Sequence, residues 1–182
     1  MVVKPQISTP VGLDKVIQSL QDDLAGLATT WGISNYNCYP RCYVNNSQDG
    51  NVVEYFDGTE YKQLTFNDRV DVESFFFETG TSQSVDGNPR IQVAPVALVF
   101  ALNLENVYPL LSHRADMEVR RDILHTVQGN VDARYIQVDG VAITPQEVFA
   151  GLRDFLEDYN DMQPRHILRF DLQITYYLMT KC

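Results

Sequence analysis

HILRFDLQITYYLMTKC, residues 166–182, is the stretch whose reading decides the fold. From Phe170 it alternates with a period of two. Phe170, Leu172, Ile174, Tyr176 and Leu178 fall on one side; Arg169, Asp171, Gln173, Thr175, Tyr177 and Lys181 fall on the other, and Met179 breaks the pattern. Such alternation predicts a β-strand with one face on a core. Twelve residues at about 3.3 Å each would span roughly 40 Å, long against the usual strand of about 5–6 residues. A strand of that length needs a partner, and Ile91–Leu104 supplies one: its near-continuous apolar run predicts a central strand covered on both faces. Pro95 is then expected at a bulge or near that strand's start. The apolar side of the closing strand becomes core, and its other side, with Arg169 and Tyr177, is expected to meet another subunit.

Working outward, residues 1–8 read as a flexible lead-in. Thr9 and Pro10 form a helix-start signature, as N-cap and first helical residue. Leu13, Val16, Ile17, Leu20, Leu24 and Leu27 follow as an amphipathic stripe to about Ala28, with Trp31 as a core anchor. A second helix is predicted from Ser112 to Gly129, its apolar set being Met117, Ile123, Leu124 and Val127; it is thin in apolar residues and is expected at the surface. The third begins at Thr144–Glu147, a capping-box pattern, and carries Val148, Phe149, Leu152, Phe155, Leu156 and Tyr159 towards the acidic run Asp154–Asp161.

Between the helices lie the remaining strands. Cys38–Val44 is one, restricted by Pro40 to an edge or a strand start. Val52–Phe56 and Tyr61–Phe66 form a hairpin around Asp57-Gly58. Val70–Glu78 is a further strand, and residues 79–90, rich in turn formers, read as a projecting loop. Arg134–Val138 is a short strand ending at Asp139-Gly140. The prediction is a single α+β domain over 1–182. It is a mainly antiparallel or mixed sheet with two to three helices packed on one face and a long C-terminal strand.

A net charge of −10 argues against gripping nucleic acid, which needs clustered Lys and Arg. The longest apolar stretch, Val93–Leu104, is too short for a bilayer, and the N-terminus has no signal-peptide pattern, so a soluble cytoplasmic product is expected. Three cysteines make no disulfide framework. Cys38 and Cys42, four apart on a strand, are expected on one face as buried thiols, and no set of donors has the close pairing of a zinc site. Phosphate loop, dinucleotide fingerprint, HExxH and G-x-S-x-G are all missing. Catalytic, cofactor and metal residues are therefore expected to be none. Phe75, Phe76 and Phe77 put at least one ring on the outer face of their strand, where either a partner or a second packed layer covers it.

This order of elements, with VALVFALNLENVYP (96–109), HRADMEVRRDILHTVQ (113–128) and DMQPRHILRFDLQITYYL (161–178), resembles the small neck and tail-completion proteins of tailed bacteriophages. The similarity lies in layout from about Leu13 to Tyr177, not in an invariant motif. It implies a structural virion subunit without catalytic residues, a tail terminator or head–tail connector. Such a subunit is assembled in the host cytoplasm into a homo-oligomeric ring that joins portal or connector to tail. DNA would pass through the ring without being specifically bound, and no membrane is involved. Phe75, Phe76, Phe77, Arg90, Arg169 and Tyr177 are the candidate contact residues. Two other classes stay open: a small-molecule or protein binding module with a pocket between the sheet and the third helix, and a cysteine-dependent enzyme using Cys38 or Cys42.

Overall fold

The structure, a computed structural model, describes residues 1–47, 50–67, 69–132, 135–152 and 163–178. Its elements run β1 (Val2–Val3), α1 (Leu13–Trp31), β2 (Tyr36–Ser47), β3 (Gly50–Phe56), β4 (Tyr61–Gln63), β5 (Val72–Glu78), β6 (Gln83–Val85) and β7 (Asn88–Asn103). There follow α2 (Leu104–Val107), α3 (Asp116–Gly129), β8 (Ile136–Ala142), α4 (Pro145–Val148) and β9 (Arg165–Tyr177). One sheet holds the strands in the order β4-β3-β2-β5-β7-β9-β8, with β1 added to β2 and β6 to β7. It is mixed: β2 runs parallel to β1 and β5, and the other neighbours are antiparallel. The α+β class, the large mixed sheet and the long closing strand are as the periodicities predict.

The axis of the molecule is the β7–β9 ladder, continuous from Asn103↔Arg165 to Ile91↔Tyr177. Pro95 sits inside β7 without a bulge in that ladder. Its carbonyl accepts from the Thr79 N–H at 3.0 Å, so its nitrogen faces the same side, in the gap between the end of β5 and the start of β6. No ladder bond is lost there. Beyond Asn103 the chain leaves the sheet as α2, because the Asn103 side chain accepts from the N–H groups of Glu105 and Asn106 and starts a helical turn.

Two cores flank the sheet. On one face lie α1 and α3, burying Leu13, Ile17, Leu20 and Leu24 and Val119, Ile123 and Val127 against Leu98, Phe100, Phe170, Leu172 and Ile174. On the other, the turn 64–66 and α4 with the residues after it bury Leu64, Val148, Phe149 and Leu152 against Phe75, Phe77, Val99 and Ile167. The phenylalanine run divides between them: Phe76 belongs to the first core, Phe75 and Phe77 to the second.

Several expectations are corrected. The lead-in is held, not free: Val2–Val3 pairs with β2, Gln21 Nε2 donates to the Pro5 carbonyl at 2.8 Å, and the Ile7 N–H donates to Gln18 at 3.0 Å. Helix α1 starts at Leu13, three residues after Pro10, because Gly12 takes φ 57° and lies against Tyr176; a Cβ there would stand 3.3 Å from that ring. α3 starts at Asp116, and Met117 is exposed where Val119 is buried. Within 79–90, β6 turns back on β7 through Asp86 (φ 49°) and Gly87 (φ 71°), a two-residue hairpin with both central residues left-handed. β8 passes Asp139-Gly140 by a bulge and continues to Ala142. At α4 the Thr144 hydroxyl donates to the Glu147 carboxylate at 2.8 Å and makes no bond to a backbone N–H. The rest of the third helix's expected stripe and its acidic run, 153–162, lie outside the described residues, as do Met179 and Lys181.

The largest correction concerns β2. It is an interior strand, between β3 and β5, and Pro40 is tolerated because the β5 ladder shifts register between Cys38 and Arg41. That slip reverses which side each later residue faces. Cys38 consequently lies in the first core and Cys42 in the second, instead of sharing a face.

Candidate interaction surface

The strand β8 covers less of β9 than β7 does. Its ladder stops at Ile136↔Ile174, so among the described residues Thr175–Tyr177 have β7 on one side and no strand on the other. Pro10, Val11 and Lys15, at the start of α1, and Asp132 and Tyr135, before β8, form the walls of a groove along this open edge. Its volume is about 520 Å³. Tyr177 is 43% exposed and meets Tyr135 edge to face at 5.8 Å; Val11 is 66% and Leu178 52% exposed. Gly12 allows the wall to close on Tyr176, which also lines the groove. Apolar rings on a strand edge are an unusual thing to leave in water.

The opposite end of the sheet is β4, three residues long and paired only with β3. Tyr61 there is 59% exposed, tilted against Phe56 at 5.3 Å and edge-on to Tyr43 at 5.9 Å. The Asp57-Gly58 turn that presents it is fixed by its own acid, since Asp57 Oδ1 accepts from Thr59 N–H at 2.8 Å and Glu60 N–H at 3.0 Å. Lys62 also bonds Asp57, at 2.6 Å, and these contacts hold the Asp57 carboxyl well below the usual carboxylate range.

Of the residues proposed from sequence, Tyr177 is in the groove. Arg90 is outside the groove, on the β7 side of β9: its side chain is exposed and its carbonyl accepts from the Leu178 N–H at 2.9 Å. The three phenylalanines are buried inside the chain and offer no ring to a partner. Arg169 is also buried. It pairs with Asp171 at 2.7 Å, donates through Nη1 to the carbonyls of Glu147 (3.2 Å) and Ala150 (3.1 Å), and lies over the Phe77 ring at 5.5 Å. These bonds tie α4 to the sheet, because a guanidinium has several donors to offer the carbonyls at the end of a helix. The alternation told which face Arg169 occupies but not that α4 would cover it.

The same side has a second charged anchor. Glu73, buried, accepts from Asn67 N–H at 2.9 Å and from Asn37 Nδ2 at 3.2 Å, which pins the turn carrying Phe66. Burial raises its pKa, opposed chiefly by the Asn67 bond. Phe66 in turn meets Phe149 at 5.8 Å. Where α4 meets the sheet, these rings pack with Val148 and Leu152; the rest of the third helix expected to enclose a pocket lies outside the described residues.

Neither described thiol has nucleophilic character at neutral pH. Burial pushes Cys38 up to about 11 and raises Cys42 further. Among the described residues, no group of three His, Cys, Asp or Glu is placed to hold a metal ion, and no helix is long and apolar enough to cross a membrane.

Sequence reading missed Val11, Lys15, Tyr61, Asp132 and Tyr135 as surface elements. Tyr61 was visible as the first residue of a hairpin's short second strand. The others come together only because β8 stops short of the end of β9. Comparison with family models and with curated proteins returned no match for this chain.

Proposed function

We propose that the chain is a structural virion subunit of a tailed bacteriophage, forming a homo-oligomeric ring in the neck or tail. The ring joins portal or connector to tail and lines the channel through which DNA leaves. The observation that carries this reading is the edge of β9 beyond Ile174, where, among the described residues, β7 is the one strand partner and Val11, Tyr135 and Tyr177 line an aromatic groove. A surface of that kind is suited to a protein partner. The layout resemblance supplies the class of assembly. The net charge of −10 suits a channel wall that repels a duplex instead of gripping it.

The cysteine-enzyme alternative loses its support with both thiols buried and raised in pKa. Light scattering of the pure chain, alone and with portal and tail components, tests the proposal. The expected result is a discrete oligomer in at least one of those mixtures; a strict monomer in all of them overturns it.

A further inference from the structure

β4 and the β9 edge that carries the groove are five inter-strand steps apart in one sheet, or roughly 24 Å at about 4.8 Å per step. One chain therefore cannot bring them together. We propose that the occupant of the groove is β4 of a second copy, so that the sheet of one subunit continues into the next. This rests on the ring reading and names the surfaces that close it.

Three observations converge. The first is length: β4 has three residues, Tyr61–Gln63, and β9 runs three residues past its last described pair with β8, Thr175–Tyr177. An edge strand adds to another by main-chain hydrogen bonds, with side chains giving the specificity. The second is shape and chemistry. Tyr61 stands out from β4, and the groove is walled by Val11, Tyr135 and Tyr177, so the added strand would bring an aromatic ring into an aromatic cleft. The third is charge. Copies carrying −10 each repel one another unless the contact is locally matched. The β4 hairpin presents Glu54, Asp57 and Glu60 against Lys62, whereas the groove presents Lys15 with Asp132. An acidic hairpin thus meets a groove in which Lys15 balances Asp132.

Because the two surfaces differ, the contact is heterologous: each copy gives one and receives the other, and closure by rotation yields a ring. The polar, bulged edge of β8 next to the groove is guarded against the same pairing, which confines addition to Thr175–Tyr177.

Complementation is the test. Tyr61→Arg spoils the donor surface and Tyr177→Arg the acceptor, and both positions are exposed, so melting temperatures should match the parent. Sedimentation velocity is expected to show the parent as a closed oligomer and each variant as a monomer, with self-association at least tenfold weaker. An equimolar mixture of the two should give a 1:1 dimer and stop there, since one intact donor and one intact acceptor remain. A parent that assembles together with variants that assemble equally well overturns the β4-in-groove contact and leaves the ring reading standing. Two monomeric variants that fail to form the dimer likewise overturn it. A parent that stays monomeric with every neck component overturns both. Should either variant fold poorly, the charge pair serves instead: Lys15→Glu should weaken assembly and Lys15→Glu with Glu60→Lys restore it. Failure to restore counts against the proposal.

Discussion

The two faces of the sheet are covered by different physics. On the first, a 19-residue helix and a 14-residue helix lay apolar stripes on the strands, and to this area are added a few polar ties, Gln21 donating to the Cys38 carbonyl at 2.6 Å and Arg41 pairing with Asp14 at 2.8 Å. On the second, the described part of the cover is a four-residue helix and a turn, and two buried charged side chains of opposite sign grip their main chain. Glu73 takes an N–H from the turn; Arg169 gives to carbonyls at the end of α4. A long helix is attached by area, a short one by a few directional bonds.

Removing area from the first face should do the most harm. Leu24→Ala is expected to cost about 3 kcal/mol, within the range of roughly 2–5 for buried leucines, and to lower the denaturation midpoint of the whole domain. A loss below about 1 kcal/mol would show that α1 is not what holds the sheet together.

Arg169→Met should come next, at about 1–2 kcal/mol, because it removes the donor to the Glu147 and Ala150 carbonyls and leaves Asp171 without its ion-pair partner. Its signature is local. Hydrogen exchange at Val148, Phe149 and Leu152, whose N–H groups bond within the α4 region, should accelerate more than exchange in α1. Uniform acceleration would mean the two covers unfold as one. In the same variant the oligomeric state should follow stability, since Arg169 faces α4 and not a neighbour.

Glu73→Gln should have the smallest effect and the most informative pH dependence. Burial raises the carboxyl pKa in the folded chain, so the native state binds its proton more tightly than the unfolded state does. Stability from this group is fully present below the ordinary glutamate pKa and is lost as pH rises through the raised one. Glutamine keeps an acceptor for Asn67 N–H without the charge. The variant should therefore gain on the parent between mildly acidic and neutral pH, by less than about 1 kcal/mol at neutrality. A difference that does not change with pH would remove Glu73 as a titrating anchor.

This contrast also explains what was legible in the sequence. Area-based attachment writes itself as periodicity. The stripe Leu13–Leu27, the alternation from Phe170 and the apolar run from Ile91 name one cover, the central pair of strands and their mutual contact. The anchors do not repeat, so nothing in the pattern marked Glu73 as a clasp, and Arg169 looked like an outward-facing contact residue. Register slips are equally silent. Counting by two puts Cys38 and Cys42 on one face; one extra residue near Pro40 puts them on opposite ones. The groove was half visible. Tyr177 stands on the non-core side of an alternating strand, but its neighbours Val11 and Tyr135 are 166 and 42 positions away in the chain, and only the topology brings them together.

The β7–β9 ladder has one more consequence, for the order of events when the chain is made. Its partners are separated by 62 residues at Asn103↔Arg165 and by 86 at Ile91↔Tyr177. β7 leaves the ribosome with β2, β3 and β5 already made, while the strand that closes its other edge follows much later. Pairing across such distances is slow. Until then Val96, Leu98, Phe100 and Leu102 sit on a strand with a bare edge, able to capture any extended segment nearby. In this chain, the time between synthesis of Asn103 and of Arg165 is the interval of greatest exposure to misassembly, and slowed translation over 104–165 should lower the soluble yield.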